Sequence, residues 1–311
     1  MKRNLAIGTD IGGSHITCAA VDITTGEIVR ETLSEREVNN QEEADVIIST
    51  WTDTISSALS KINGEKILGI GFAMPSPFDY VKGICYIKGV AKYEKLYGIN
   101  ISEAVSKRLG LSDDIPIRFM NDASSFAVGE AWAGSAAGID RFLAITLGTG
   151  FGSAFISNRI PVVDGDEVPR LGCVFHLPYE DGIADDYFST RWFTGRYLKA
   201  TGKELKGVKE LAGLAGSDKI VASLFAEFGN NLGLFLAPWL KKFKAEVLVV
   251  GGNISHSYDL FGEYLERSLK RENCSCRVHL SKLKEDAALL GSACLFDDYF
   301  WKSVQHALPL M

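Results

Sequence analysis

LAIGTDIGGSHITCAAVDITTGEIVRETL, residues 5–33, is the stretch that decides the fold class. Leu5 to Thr9 has the apolar density of a buried strand and ends in Asp10, after which Ile11-Gly12-Gly13-Ser14 forms a glycine turn. His15 to Val21 alternates loosely as a second strand, Thr24-Thr25-Gly26 is turn chemistry, and Glu27 to Leu33 is predicted as a third strand. Strand, glycine turn, strand, turn, strand is an antiparallel meander. A dinucleotide-binding unit needs a helix directly after its glycines, and here a strand follows instead.

Working outward, Glu42 to Ile62 carries Ala44, Ile47, Ile48, Trp51, Ile55, Leu59 and Ile62 as a helical stripe that Asn63-Gly64 terminates. Ile67 to Ala73 is a strand running into Met74-Pro75-Ser76-Pro77, a stiff extended loop. Phe78 to Asn100 is predicted as a long ordered loop with short strands, Ile101 to Leu109 as a helix and Ile115 to Phe119 as a strand. That strand stops at Asn121-Asp122, and a helical pattern through Phe126, Ala127, Glu130, Ala131 and Ala133 begins. From Arg141 the plan restarts: a strand over Phe142 to Leu147, a turn holding Gly148, Thr149, Gly150 and Gly152, another strand, then Arg159 to Val163 as a third. A long helix containing Pro238 runs from Lys219 to about Lys242, and the strand Val247 to Val250 ends in Gly251-Gly252-Asn253. The chain is thus two copies of one βββαβ-type plan without a close sequence repeat.

The chemistry in this plan is a carboxylate where a helix begins and glycines between paired strands. A carboxylate there can accept a proton, and glycines let backbone N–H groups approach an anion. Those are two parts of a phosphoryl-transfer site. Each has a plainer reading: Asp10 as turn chemistry, Asn121-Asp122 as a helix cap, the glycines as tight hairpins. Neither turn ends in the Lys-Ser/Thr of a Walker-type loop.

With 311 residues and 46% hydrophobic content the chain can bury a large core, and two domains are expected over one. A net charge of −6 without a Lys/Arg run argues against a general nucleic-acid binder. The N-terminus resembles neither a signal peptide nor a membrane span, so a cytoplasmic protein with no membrane partner is expected. The six cysteines are irregularly spaced and fit reduced thiols better than a disulfide framework, with Cys274-Ser275-Cys276 the only close pair.

The ordered set Thr9–Ser14 (TDIGGS), Met74–Pro77 (MPSP), Asn121-Asp122, Leu147–Gly152 (LGTGFG), Gly172–His176 (GCVFH), Val250–Asn253 (VGGN) and Ala287–Ala293 (AALLGSA) resembles the ROK family of bacterial sugar kinases, glucokinases among them. The resemblance implies an α/β, two-lobed actin-like ATPase (ribonuclease H-like) fold, with duplicated βββαβα domains and a cleft between them. It implies a small lobe over residues 1–118, completed by a C-terminal helix at 294–311, and a large lobe over 119–293. It further implies ATP and Mg²⁺ as cofactors, with Asp10 helping to hold the metal and Gly12, Gly13 and Ser14 forming a first phosphate loop. Gly148, Thr149, Gly150 and Gly152 resemble the second phosphate loop, and Gly251, Gly252 and Asn253 the adenosine-binding turn. Asn121 and Asp122 resemble the sugar-binding pair, with Asp122 as general base.

The departures concern the substrate. The family usually places a Glu where this chain has Cys173, and a thiol cannot replace that acceptor. The loop at 177–189 lacks the family's zinc-binding cysteines, so no structural zinc is expected, while His176 and Asp185 are the expected sugar contacts. The resemblance implies a sugar and ATP as small-molecule partners and a homodimer. The same family includes sugar-responsive repressors. With nine residues ahead of Asp10 no DNA-reading module is expected, and the alternatives are a non-catalytic sugar sensor or a transcriptional regulator lacking a DNA-binding module.

Overall fold

The structure is a computed structural model that describes residues 3–89 and 92–311. Contacts within the chain divide it into two compact units. One comprises Met1–Ala137, Arg159–Pro161 and Glu285–Met311, the other Gly138–Asn158 and Val162–Lys284.

In the first unit, Leu5–Ile11 pairs antiparallel with His15–Asp22, and the last pair, Ile11 with Ile16, encloses the Gly12–His15 turn. The expected third strand is broken. Only Glu27–Ile28 pairs with the second strand. A 3-10 turn at Arg30–Thr32 follows, and Ser34–Glu37 returns to the same strand, opposite His15 to Cys18. The buried Thr32 side chain is the cause. Its hydroxyl accepts from the Ala20 N–H at 2.8 Å and donates to the Val29 carbonyl at 2.6 Å, replacing a ladder bond by a side-chain bond.

The helix Ala44–Ser60 then carries the chain to Ile67–Met74, which lies parallel to Leu5–Ile11, and Ile117–Asn121 lies parallel to Ile67–Met74. Asp10 stands opposite Ala73, and Met74 opposite Asn121. Three neighbouring parallel strands therefore end together, at Ile11 (one residue beyond Asp10), Met74 and Asn121. The carboxyl ends of adjacent parallel strands are where open α/β sheets place ligands.

A short helix, Asp286–Ala293, lies on these strands and on the helix Asp122–Ala133. Four glycines allow it. A Cβ would meet the Leu289 carbonyl at 2.0 Å from Gly8, Ser292 O at 2.0 Å from Gly71, Ala287 O at 2.0 Å from Gly129, and Ser125 O at 1.8 Å from Gly291. Ser292 Oγ also accepts from the Thr9 N–H at 3.1 Å, one residue before Asp10.

In the second unit, Arg141–Leu147 and Phe151–Ser157 form a hairpin whose closing pair, Leu147 with Phe151, leaves a three-residue turn. Val247–Gly251 runs parallel to the first of these strands, and Arg277–Leu280 parallel to Val247–Gly251. The expected strand at Arg159 to Val163 shortens to Ile160–Pro161, because the chain turns through positive φ at Asn158 and Arg159. The 25-residue helix Lys219–Phe243 is long and apolar enough, by length and composition, to cross a membrane. Its apolar stripe is committed to this unit's core: Phe225, Phe228, Leu232, Leu236 and Leu240 are buried with Phe188, Phe193 and Phe261.

Gly71→Ala should destabilise the chain by about 3 kcal/mol, because its Cβ meets backbone that cannot step aside. Gly195→Ala, in the helix Thr190–Thr201 with nothing within 4 Å of the new methyl, should stabilise it by about 0.5 kcal/mol. Urea unfolding of the two variants checks the contrast; equal effects would show that the glycine seat does not constrain the helix.

Candidate active-site residues

In the first unit, the side chain of Asn121 caps the helix Asp122–Ala133: Oδ1 accepts from the Ser124 N–H at 3.0 Å. Its Nδ2 donates to Asp122 Oδ1 at 2.9 Å, and the Ala123 N–H donates to the same oxygen at 2.8 Å. Oδ2 of Asp122 has no hydrogen-bond partner among the described residues. Capping and orientation thus fix one carboxylate oxygen. Burial raises the Asp122 pKa, while Lys92, the Ala123 N–H and Asn121 act in the opposite sense. Asp10 is pushed up to about 7, by burial first and then by the negative charges of Asp122 and Glu285. Among the described residues no group of three or more His, Cys, Asp or Glu side chains is placed to hold a metal ion.

The Gly12–Ser14 turn is held by its carbonyls. Gly12 O accepts from Tyr93 Oη at 2.6 Å, Gly13 O from Asn40 Nδ2, and Ser14 O from the Val38 N–H at 2.8 Å. Tyr93 is fully buried, with its ring edge-on to Trp51 at 5.6 Å, and its own N–H donates to the Asn40 carbonyl at 3.0 Å. Gly12 N–H closes the turn onto His15 O, whereas the N–H groups of Gly13 and Ser14 have no acceptor among the described residues.

The second unit repeats the device with different residues. The Gly148 carbonyl accepts from Thr190 N–H at 2.8 Å and Oγ1 at 2.9 Å, and the Thr149 carbonyl from Arg191 Nη1 at 3.1 Å. Gly150 O accepts from the Gly148 N–H at 3.0 Å. Asp185 completes the brace: Oδ1 accepts from the Phe151 N–H at 2.6 Å and Oδ2 pairs with Arg191 Nη2 at 2.5 Å. The N–H groups of Thr149 and Gly150 have no acceptor among the described residues. Gly152 lies in the strand beyond, opposite Thr146.

Next to this turn, Gly252 adopts φ +78°, and a Cβ there would stand 2.5 Å from the Leu147 carbonyl. Only glycine permits that contact. Gly251 ends its strand, and Asn253 opens a 3-10 segment, Asn253–Ser257, before the helix Tyr258–Arg271. The Gly251–Asn253 and Gly148–Gly152 turns are therefore direct neighbours.

The 172–176 segment is anchored to the same hairpin. Val174 N–H donates to Ser153 Oγ at 2.8 Å, and Asp185 N–H to the Phe175 carbonyl at 2.9 Å. Cys173 Sγ lies 3.7 Å from His176 Nδ1, and burial, then the charge of Arg170, lowers the His176 pKa. The second unit so brings together Gly148, Thr149, Gly150, Gly152, His176, Asp185, Gly251, Gly252 and Asn253. The first unit gathers Asp10, Gly12, Gly13, Ser14, Asn121 and Asp122.

Sequence reasoning missed Tyr93, Asn40, Glu285, Thr190 and Arg191. Tyr93 sits in a series with Tyr80, Tyr86 and Tyr97 that reads mostly as loop packing, with one ring available to stack on a sugar face, and it is 81 residues from the carbonyl it holds. Thr190 and Arg191 are 42 residues from theirs, with no local signal to mark them.

Residues 6–299 match the model of the ROK family, and the chain belongs to that family. A glucokinase of Thermotoga maritima is 25% identical over 96% of this chain and 99% of its own length. The crystal structure of a ROK family glucokinase from Streptomyces griseus in complex with glucose and AMPPNP superposes with a TM-score of 0.74. It is 22% identical over 94% of this chain and 99% of that one. A ROK family transcriptional regulator, a homologue of the E. coli MLC protein, superposes with a TM-score of 0.77 at 14% identity, over 98% of this chain and 81% of that one. The fold is the α/β actin-like ATPase fold of this family.

Asp10 carries the clearest pH signature. Its folded pKa, about 7, lies above the ordinary 3.8, so the fold favours the protonated acid. Its contribution to stability is complete below about pH 4, declines as pH rises towards 7, and then levels off. Asp10→Asn cannot ionise, and should be more stable than the parent by roughly 4 kcal/mol at neutral pH and nearly equal to it near pH 4. Urea unfolding at several pH values measures the gap; a gap that does not change with pH would refute the assignment.

Proposed function

We propose that the chain is a carbohydrate kinase, transferring the γ-phosphoryl group of Mg-ATP to a hydroxyl of a hexose-type sugar, on C6, with Asp122 as general base. The observation that carries this reading is the common construction of the two glycine turns. In each, the carbonyls are tied back and two successive N–H groups are left to face an anion. Phosphate groups are recognised by such concave sets of N–H donors. The kinase names of the relatives, and the nucleotide analogue and glucose bound to a protein of the same fold, support the same reading.

Asp122 can take the proton of the attacking hydroxyl on Oδ2, the oxygen without a partner, while Asn121 and Ala123 hold Oδ1. A raised pKa makes Asp122 a better base once it is ionised. Asn121 can position the sugar through the same amide that orients the base. Gly13 and Ser14, and separately Thr149 and Gly150, would hold phosphate oxygens, and the Gly251–Asn253 turn the adenosine.

The residues fit Mg²⁺ of the kind that accompanies ATP. Magnesium uses one or two carboxylates and leaves its other positions to water and phosphate oxygens, so Asp10 suffices without a larger set of protein ligands. Asp10 is held against Asp122 and Glu285 with no cation among the causes of its shift, a charge state that a divalent ion would relieve. Bound there, the ion would neutralise charge developing on the transferred phosphoryl group. His176 and Asp185 are the proposed sugar-side contacts of the second unit, Asp185 in addition to its hold on Phe151 and Arg191. With Cys173 where the family's Glu acceptor is expected, the sugar preference should differ from that of a glucokinase.

The likeness to a transcriptional regulator favours a second reading, a sugar sensor without catalysis. Coupled ADP release over glucose, fructose, mannose, N-acetylhexosamines and β-glucosides separates the two. At least one sugar should stimulate ADP formation, and silence across the panel would favour the sensor. Asp122→Asn should lower sugar-dependent turnover by roughly 10³-fold, with the circular dichroism spectrum unchanged. Turnover within a few-fold of the parent would remove Asp122 as the base. In the parent, kcat/KM should fall as pH is lowered, with an apparent pKa above the 3.8 of an ordinary aspartate.

A further inference from the structure

The helix Tyr258–Arg271 and the edge strand Arg277–Leu280 are joined by a short turn that contains Cys274-Ser275-Cys276. This turn borders a surface hollow of about 450 Å³ whose wall includes Glu266, Lys270, Cys274, Cys276, Arg277 and His279. No residue of the glycine turns or of the 172–176 segment lines that hollow. Cys18, Cys85 and Cys294 are fully buried, whereas Cys274 and Cys276 rest against the core with part of their surface open.

The backbone fixes both ends of the tripeptide. Cys274 N–H donates to the Leu269 carbonyl at 2.9 Å, and Arg277 N–H to the Glu246 carbonyl at 3.0 Å. Cys276 Sγ donates to the Arg277 carbonyl at 3.6 Å, and the Cys276 thiol and backbone N–H act on the neighbouring Cys274 sulfur as well. Lys241, from the helix Lys219–Phe243, adds positive charge while its Nζ donates to the Glu272 carbonyl at 2.7 Å. The other charged or titratable groups about the turn are Glu266, Lys270 and Glu272 on the helical side and Arg277 and His279 on the strand. Sulfur-directed donors and a nearby ammonium favour the thiolate. The neighbouring Cys276 is the main influence lowering the Cys274 pKa, and the same pairing raises that of Cys276.

We propose that Cys274 is a modification site for hydroperoxides, with Cys276 as the resolving thiol that closes a disulfide across the Cys274-Ser275-Cys276 turn. In the first step the Cys274 thiolate attacks one peroxide oxygen. An S–O bond forms, the O–O bond breaks, and the departing hydroxide takes a proton to become water. In the second step the Cys276 sulfur attacks the Cys274 sulfur. The S–S bond forms, the S–O bond breaks, and the hydroxyl leaves as water with the Cys276 proton. Two thiols lose two electrons and one peroxide gains them. The product closes a small ring within the turn that joins the helix Tyr258–Arg271 to the edge strand pairing with Val247–Gly251.

The test uses the full chain, with each cysteine followed by peptide mass mapping. At about pH 6.5, iodoacetamide should modify Cys274 roughly tenfold faster than Cys85 or Cys294. Equimolar hydrogen peroxide should remove two hydrogens from the peptide holding Cys274 and Cys276. In Cys276→Ser the same treatment should leave a sulfenic acid on Cys274 that dimedone traps, and Cys274→Ser should show neither product. Equal alkylation rates across the cysteines, or an oxidation product that survives in Cys274→Ser, would overturn the proposal.

Discussion

The seating of the helix Asp286–Ala293 is the constraint on which the first unit depends. Its backbone lies directly on two parallel strands and on the helix that begins at Asp122, and four missing Cβ atoms make room for it. Peptide groups approach to distances at which any side chain would collide. The helix then positions Ser292 on the Thr9 N–H and brings Glu285 close enough to Asp10 to shift its ionisation. One close-packed contact thus links the strand carrying Asp10, the helix carrying Asp122 and a segment from the far end of the chain. A core packed to this density transmits small changes in shape, because its backbone has nowhere to relax.

Both glycine turns show how a fold can leave peptide N–H groups available to an anion without committing a charged side chain. A turn of three or four residues has a few peptide groups, and their direction decides its chemistry. The carbonyls are engaged by Tyr93, Asn40 and Val38 in one unit and by Thr190 and Arg191 in the other, and two successive N–H groups in each turn have no acceptor among the described residues. The partners come from different elements in the two units. The shared result therefore rests on the physics of the peptide group, and identical residues are not needed to reach it. Asp185 shows a related economy, since one carboxylate orients both the Phe151 N–H and the guanidinium that holds Thr149.

Much was determined by the sequence alone. Apolar alternation and turn residues give the meander of Leu5–Ile11 and His15–Asp22, the hairpin at Gly148–Gly150 and the helix Ala44–Ser60, because these depend on neighbours within a few residues. Asn121 and Asp122 were legible for the same reason: a strand that stops at a capping residue is a local event. The order of motifs along the chain was enough to indicate the family, to which residues 6–299 belong.

Only the tertiary structure decided how those pieces are held. The Thr32 hydroxyl ended a strand that periodicity alone would continue, because it found a partner twelve residues away. Tyr93 and Arg191 became supports of the two turns through bonds spanning 81 and 42 residues. The pKa of Asp10 moved through charges contributed by Asp122 and Glu285. Hydrogen bonding, burial and charge coupling act over distances in space, and sequence spacing carries no record of such distances once the chain has folded back on itself. The residues of the candidate site were therefore readable as types at positions, while their orientation and ionisation belong to the fold.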